Sequence, residues 1–242
     1  RTHHSARAYD PKRDRAFNRL WVHEACKVAD VVTVTTPALC RHYGYGHGVV
    51  IPNRVPEAYL KIEPEERRRA VGWSGWVSTH PGDLAATRGG VAKALAAHEG
   101  WGFHVIGSGE GVAAGLGLTE PPTSTGGWVP FDEYPHRLAE LTIGVVPLQA
   151  NPFNEAKSGL KLLEMSSLGV ATVASPTPDN RRLAKLGLGI MAKSPADWRQ
   201  RLGLLMDKPE VREEVAARSR DVAATQTVEE HVEDWIKAWS RR

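Results

Sequence analysis

Short apolar, β-branched runs recur along the chain: "DVVTVTT", "GVVIPN", "VGWSGW", "GFHVIGSG", "IGVVPL" and "VATVAS". Runs of about five residues with little polar alternation predict strands covered on both faces. Between them lie stretches with helical spacing. "AFNRLWVHEACKVA" carries Phe17, Leu20, Trp21, Ala25 and Val28 on one face, and "PALCRHY", "DLAATRGGVAKALAAHE", "YPHRLAELT", residues 158–168 and "DNRRLAKL" predict further helices. Such alternation implies an α/β fold, a parallel sheet with helices on both faces. Near the end, "TVEEHVEDWIKAWSRR" aligns Val228, Val232, Trp235, Ile236 and Trp239 in one stripe, which predicts a helix that docks.

Proline and charge interrupt this rhythm once. "RVPEAYLKIEPEERRRA" has no clean apolar face and predicts a linker. The expected organisation is therefore residues 1–53, a linker over 54–69, a main domain over 70–222 and a final helical segment over 223–242.

Composition narrows the picture only slightly. With 242 residues, 41% of them hydrophobic, the chain can bury a sizeable core. Lys+Arg 31 against Asp+Glu 28 permits nucleic acid as a partner without indicating it. Two cysteines, Cys26 and Cys40, with no CxxC pair argue against a disulfide scaffold or a zinc site. No apolar run approaches the ~20 residues of a membrane span, and no signal-peptide pattern stands at the start. A cytoplasmic protein without a transmembrane segment is the expectation, and a first residue other than Met implies that something upstream is missing.

The charges of "NPFNEAKSGLKLLE" fall where a strand gives way to a helix. In open parallel sheets ligands gather at the carboxyl ends of the strands. If Ser158 caps the helix, Gly159, Leu160 and Lys161 present backbone N–H groups and the positive end of the helix dipole to an anion. Lys157, Lys161 and Glu164 then share one face while Leu160, Leu163 and Leu168 turn to the sheet. Such a layout suits a pyrophosphate with a ribose diol on the carboxylate. A solvated helix with ordinary charge pairs fits the same spacing.

Together, "AKSGLKLLEMSSLGVATVAS", "ADVVTVTTPAL", "VVIPNRVP", "VGWSGWVSTHPGDL" and "GWVPFDEYPHRLAELTIGVVPL" resemble retaining glycosyltransferases of the GT-B fold, in particular the family 4-like group. The resemblance covers residues 25–185 and implies a Rossmann-like C-terminal domain that binds a sugar nucleotide. It assigns Glu164 to the donor ribose, Lys157, Ser158 and the helix end to the diphosphate, and Asn154 and Glu155 to the neighbourhood of the transferred sugar. It further implies that Gly75 lets the backbone approach the phosphates, that His80 adds a donor there, and that Trp128 and Val129 flank the base. Lys157, Glu155 and His80 are its catalytic candidates. No cofactor is implied, and metal is usually dispensable in this fold.

Two departures stand out. Ala156, not a glutamate, lies eight residues before Glu164, with Glu155 one place off. The usual Arg and Lys after the first strand of the domain are replaced by "SGWVSTHPGDL", which leaves His80, Arg88 or the Lys157 and Lys161 pair to neutralise phosphate. Residues 1–53 supply only the end of an N-terminal acceptor domain, so that half is expected to be missing, reduced or carried by a second chain. A donor-domain remnant that binds a nucleotide or a partner without catalysis is the alternative function.

The remaining motifs read more plainly. "VIGSGEG" has its third glycine too early for a dinucleotide loop and opens no helical run, so a strand end with a flexible turn is expected. "ERRR" at 66–69 reads as solvated linker rather than a site for an acidic acceptor. Most of the eight tryptophans read as packing, with Trp76 and Trp128 as candidates to touch sugar or base.

Overall fold

The computed structural model describes residues 15–240. Residues 1–14, part of the expected N-terminal remnant, lie outside the described residues.

Among the described residues the chain forms two parallel sheets. Helix α1 (Arg15–Val28) leads into strand β1 (Val32–Val34), helix α2 (Pro37–Tyr43) and strand β2 (Gly48–Val50), and the two strands pair in parallel. Thr36 caps α2 through its side chain, with Pro37 in the first turn where a missing N–H costs nothing. The second sheet has six parallel strands: β3 (Arg68–Gly75), β4 (Gly102–Gly107), β5 (Thr123–Ser124), β6 (Leu141–Val146), β7 (Ala171–Ala174) and β8 (Ile190–Met191), in the order β5-β4-β3-β6-β7-β8.

Alternation along the central strands splits the core into two layers. Val71, Trp73, Phe103, Val105, Ile143, Val145 and Val173 face one side. There they meet α3 (Gly90–Ala96), α4 (Val112–Leu116), α9 (Pro195–Asp207) and α10 (Pro209–Ala224), with Trp198 fully buried among them. Ile106, Val146 and Ala174 face the other, against α5 (Tyr134–Ala139), α7 (Leu160–Ser167) and α8 (Pro178–Leu186). The α/β, Rossmann-like parallel sheet is therefore present as expected.

Several elements differ from the hydrophobic pattern. The helix predicted over "DLAATRGGVAKALAAHE" is broken, because Arg88 and Gly89 take left-handed backbone angles; only α3 forms after them. "VIGSGEG" does open a helix, the short α4, after Gly111 turns the chain with φ of 74°. The segment 54–69 is packed rather than loose: Val55 and Tyr59 are buried, and Val55 exchanges backbone hydrogen bonds with Gln226 and Val228. Within "ERRR", Glu66, Arg68 and Arg69 are exposed as expected, while Arg67 turns inward and donates to the carbonyls of Ala139, Leu141 and Leu168; Arg68 pairs with Glu140.

The last helix, α11 (Val228–Trp239), crosses back to residues 54–57, where Glu57 N donates to the Glu229 carboxylate and Arg54 meets Gln226 and His231. Its stripe is mostly open: Val228, Val232, Ile236 and Trp239 are exposed, and Ala238 alone of the helix is buried. Among the described residues no helix is long and apolar enough to cross a membrane.

Candidate functional site

The strand order reverses direction between β3 and β6, so the loops leaving their carboxyl ends part to either side and open a crevice. Residues 76–89 come from one side and 147–159 from the other, and Asp83 joins them through Gln149, Asn154 and Lys157.

Gly75 ends β3 with φ of 148°, and a Cβ there would meet the Trp73 ring at 2.8 Å and Lys161 Nζ at 3.2 Å. Only glycine leaves room for that ammonium. Beside it, Gly107 ends β4 against the carbonyl of Gly75.

Lys161 lies in the first turn of α7 and points inward. Its Nζ donates to Ser74 O at 2.6 Å, stands 3.2 Å from His80 Nε2 and sits 5.4 Å from the centre of the Trp73 ring. Burial lowers its pKa to about 8, the Glu164 charge partly opposing the shift. One turn on, Glu164 accepts from the Tyr134 hydroxyl at 3.2 Å, and burial pushes its pKa up to about 7 against the opposing pull of Lys161 and Tyr134. Burial and the neighbouring Glu164 charge raise Tyr134 far above the ordinary phenol range.

Asp83 lies at the centre of the two loops. Its Oδ1 accepts from Gln149 N at 2.9 Å and Asn154 Nδ2 at 2.7 Å, and its Oδ2 from His80 Nδ1 at 2.9 Å. Burial raises its pKa, but these hydrogen bonds and the Lys157 charge outweigh it and leave the carboxyl below its ordinary value. Lys157 Nζ is 3.9 Å from Asp83 Oδ2 and 4.8 Å from the centre of the Phe153 ring; burial lowers its pKa, with Asp83 opposing.

The structure thus brings together Lys157, Lys161, His80, Gly75, Asn154 and Glu164 of the expected residues, with two corrections. First, residues 152–156 form a helix of their own, α6 (Pro152–Ala156), which Asn151 caps, and Lys157 lies between α6 and α7. Lys157 therefore does not share a helix face with Lys161 and Glu164. Second, Ser158 is not the cap. Gly159 holds that place, its N–H donates to Asp179 Oδ2 at 2.7 Å, and Ser158 Oγ accepts from Asn53 Nδ2 at 2.8 Å. The helix end keeps the N–H groups of Leu160, Lys161 and Leu162, which lack intrahelical partners. Asn154 is buried with its Nδ2 engaged by Asp83 and Gln149 O, and its Oδ1 is unpaired. It braces the loop.

Glu155 and Arg88 are exposed and outside the network. Trp128 is exposed, and Val129 is half-buried against the core layer that holds Leu138 and Leu141. Leu163 and Leu168 are buried in that layer and Leu160 packs against it, as expected. Asp83, Tyr134, Asn53 and Asp179 were not singled out by spacing. Asp83 and Tyr134 do fall inside "VGWSGWVSTHPGDL" and "GWVPFDEYPHRLAELTIGVVPL", three residues after His80 and six after Trp128.

A protein-family model described as glycosyl transferase-like matches residues 88–237. No curated protein matches the sequence. Among solved structures, Anabaena HepE in complex with UDP and glucose superposes with a TM-score of 0.72 at 15% identity, covering 94% of this chain and 67% of that one. Sucrose-phosphate synthase from Thermosynechococcus elongatus gives 0.67 at 15% identity over 97% of this chain and 64% of that one. The C-terminal domain of the glycosyl transferase group 1 family protein LpcC from Francisella tularensis gives 0.54 at 17% identity, over 71% of this chain and 97% of that domain.

Proposed function

The chain belongs to the glycosyl transferase-like family, and from that premise we propose that it binds a nucleoside-diphosphate sugar in the β3/β6 crevice and passes the sugar to an acceptor hydroxyl with retention of configuration. The observation that supports this most is the convergence of Lys157, Lys161 and the α7 end with the Glu164 carboxylate at the sheet's switch point. In this proposal the diphosphate takes Lys157, the Ser158 hydroxyl and the backbone N–H groups of α7. The ribose diol donates to Glu164. As the bond from the sugar to the diphosphate breaks, the cations and helix end stabilise the departing oxygen, usually the largest contribution to such catalysis. The acceptor oxygen forms its bond on the same face, and its proton passes to the leaving phosphate.

The proposed reaction needs no metal ion and takes place in the cytoplasm, in keeping with the free thiols of Cys26 and Cys40. UDP is the first probe, because Anabaena HepE was solved with UDP and with UDP-glucose. At a hundredfold excess over its Kd a ligand adds about 2.7 kcal/mol of stability, visible as a rise in Tm. A rise with one nucleoside diphosphate that Glu164→Ala abolishes is expected; equal rises in both proteins would remove Glu164 from the site. Proton NMR of the product anomer tests retention.

The second reading, a nucleotide-binding module without turnover, draws on the span of the match, since the chain covers 67% of HepE and 64% of the synthase. Transfer or hydrolysis of a sugar nucleotide by this chain alone would exclude it.

A further inference from the structure

We propose that Asp83 is the positioning residue of the crevice: it fixes His80 as the Nδ1–H tautomer, which turns a bare Nε2 toward Lys161. The inference deepens the donor-site reading and relies on it only for its functional consequence.

The argument runs from hydrogen-bonding capacity. An ammonium has three donors and no acceptor, so the 3.2 Å contact between Lys161 Nζ and His80 Nε2 requires a lone pair on Nε2. The ring proton then lies on Nδ1, where Asp83 Oδ2 accepts it at 2.9 Å. The other carboxylate oxygen is already committed to Gln149 N and Asn154 Nδ2, both of which can only donate. Asp83 thus needs acceptor capacity on both oxygens, which a carboxylate has and an amide lacks. Burial and the two lysines keep the His80 ring neutral, with Asp83 opposing them. The same Oδ2 also faces Lys157 at 3.9 Å. One buried carboxylate, 1% exposed, therefore orients the imidazole that receives Lys161 and supplies the counter-charge for Lys157. Lys157 and Lys161 both face the 76–89 loop, one at Asp83 and the other at His80, and the Asp83–His80 hydrogen bond links the two contacts.

Asp83→Asn preserves shape and reverses this logic. Its oxygen must stay on Gln149 and Asn154, so its NH2 turns to His80, the ring accepts at Nδ1, and an Nε2–H then opposes the Lys161 ammonium. The test is long-range proton–nitrogen NMR of the full chain labelled with nitrogen-15 in histidine, at pH 7, with His80 assigned through His80→Gln. The wild type is expected to show Nδ1–H and a bare Nε2. Asp83→Asn is expected to lose that pattern and at least tenfold in UDP affinity. Lys161→Met, which keeps Asp83, is expected to retain the Nδ1–H form. A wild-type Nε2–H tautomer, an unchanged tautomer in Asp83→Asn, or a switch caused by Lys161→Met would overturn the proposal. Should Asp83→Asn fail to fold, the wild type and Lys161→Met still decide it. A changed tautomer with unchanged UDP affinity would overturn its role toward the donor. A wild type that binds no nucleotide would sink the donor-site reading while leaving the tautomer result to stand, because no ligand enters that measurement.

Discussion

The two ends of the six-stranded sheet both carry charged side chains and use them differently. At the amino end, Arg67 donates to three backbone carbonyls, Arg68 pairs with Glu140, and Arg69 and Arg212 lie 5.7 Å from the centre of the Trp101 ring. Each cation there has a partner fixed by the fold. At the carboxyl end, Lys161 and Glu164 are buried far enough to move toward their neutral forms, and Lys157 faces its carboxylate only at 3.9 Å. Charges held against their own solvation mark a place where something else is meant to complete them. What separates a clamp from a site is therefore the state of satisfaction, and charge density alone would have pointed to both.

This contrast predicts opposite responses at the two ends. Lys157→Ala is expected to lower sugar-transfer kcat/KM by about 100- to 1,000-fold, as the loss of a charge-stabilising group does, with Tm nearly unchanged. A large fall in Tm with little loss of turnover would place Lys157 among the clamps. Arg67→Met is expected to do the reverse. Three carbonyl acceptors lose their charged donor, which at typical values costs about 2–4 kcal/mol in urea unfolding, while the folded fraction binds UDP with unchanged affinity. Weakened binding would mean that the two ends are coupled.

Smaller effects sharpen the same point. Glu164 binds its proton more tightly folded than unfolded, its pKa being raised from 4.5 to about 7. The folded state then holds the extra proton between those values, so this group's contribution to stability is full below about pH 4.5 and is lost as pH rises through about 7. Subtracting the Glu164→Gln curve from the wild type should reveal a decline of about 3 kcal/mol across that window, and a flat difference would deny the burial. Arg68→Gln breaks an ion pair exposed on the arginine side and should change stability by less than about 1 kcal/mol. Chelation with EDTA should leave transfer unchanged, and a loss restored by a divalent cation would contradict the metal-free reading.

How much of this was legible in the sequence depended on distance along the chain. The alternation of strand and helix was clear because short valine-rich runs recur between stretches of helical spacing, and Leu163 and Leu168 turn inward by spacing alone. The fate of the two lysines was not. Lys161 is drawn inward by Ser74 O and the gap at Gly75, nearly ninety positions earlier, and Gly159 N–H is taken by Asp179 from the following helix. Neither partner follows from a local motif. Some misses had local signals: the Arg-Gly-Gly at 88–90 breaks a helix, and Ser194 with Asp197 forms a capping box that announces α9.

The most direct test of the account is a calorimetric titration of UDP into the wild-type chain and into Lys157→Ala and Arg67→Met. The account predicts one site in the wild type, the same affinity in Arg67→Met, and a loss of at least tenfold in Lys157→Ala. Equal affinity in the wild type and Lys157→Ala, or a loss confined to Arg67→Met, would place the nucleotide elsewhere than the β3/β6 crevice.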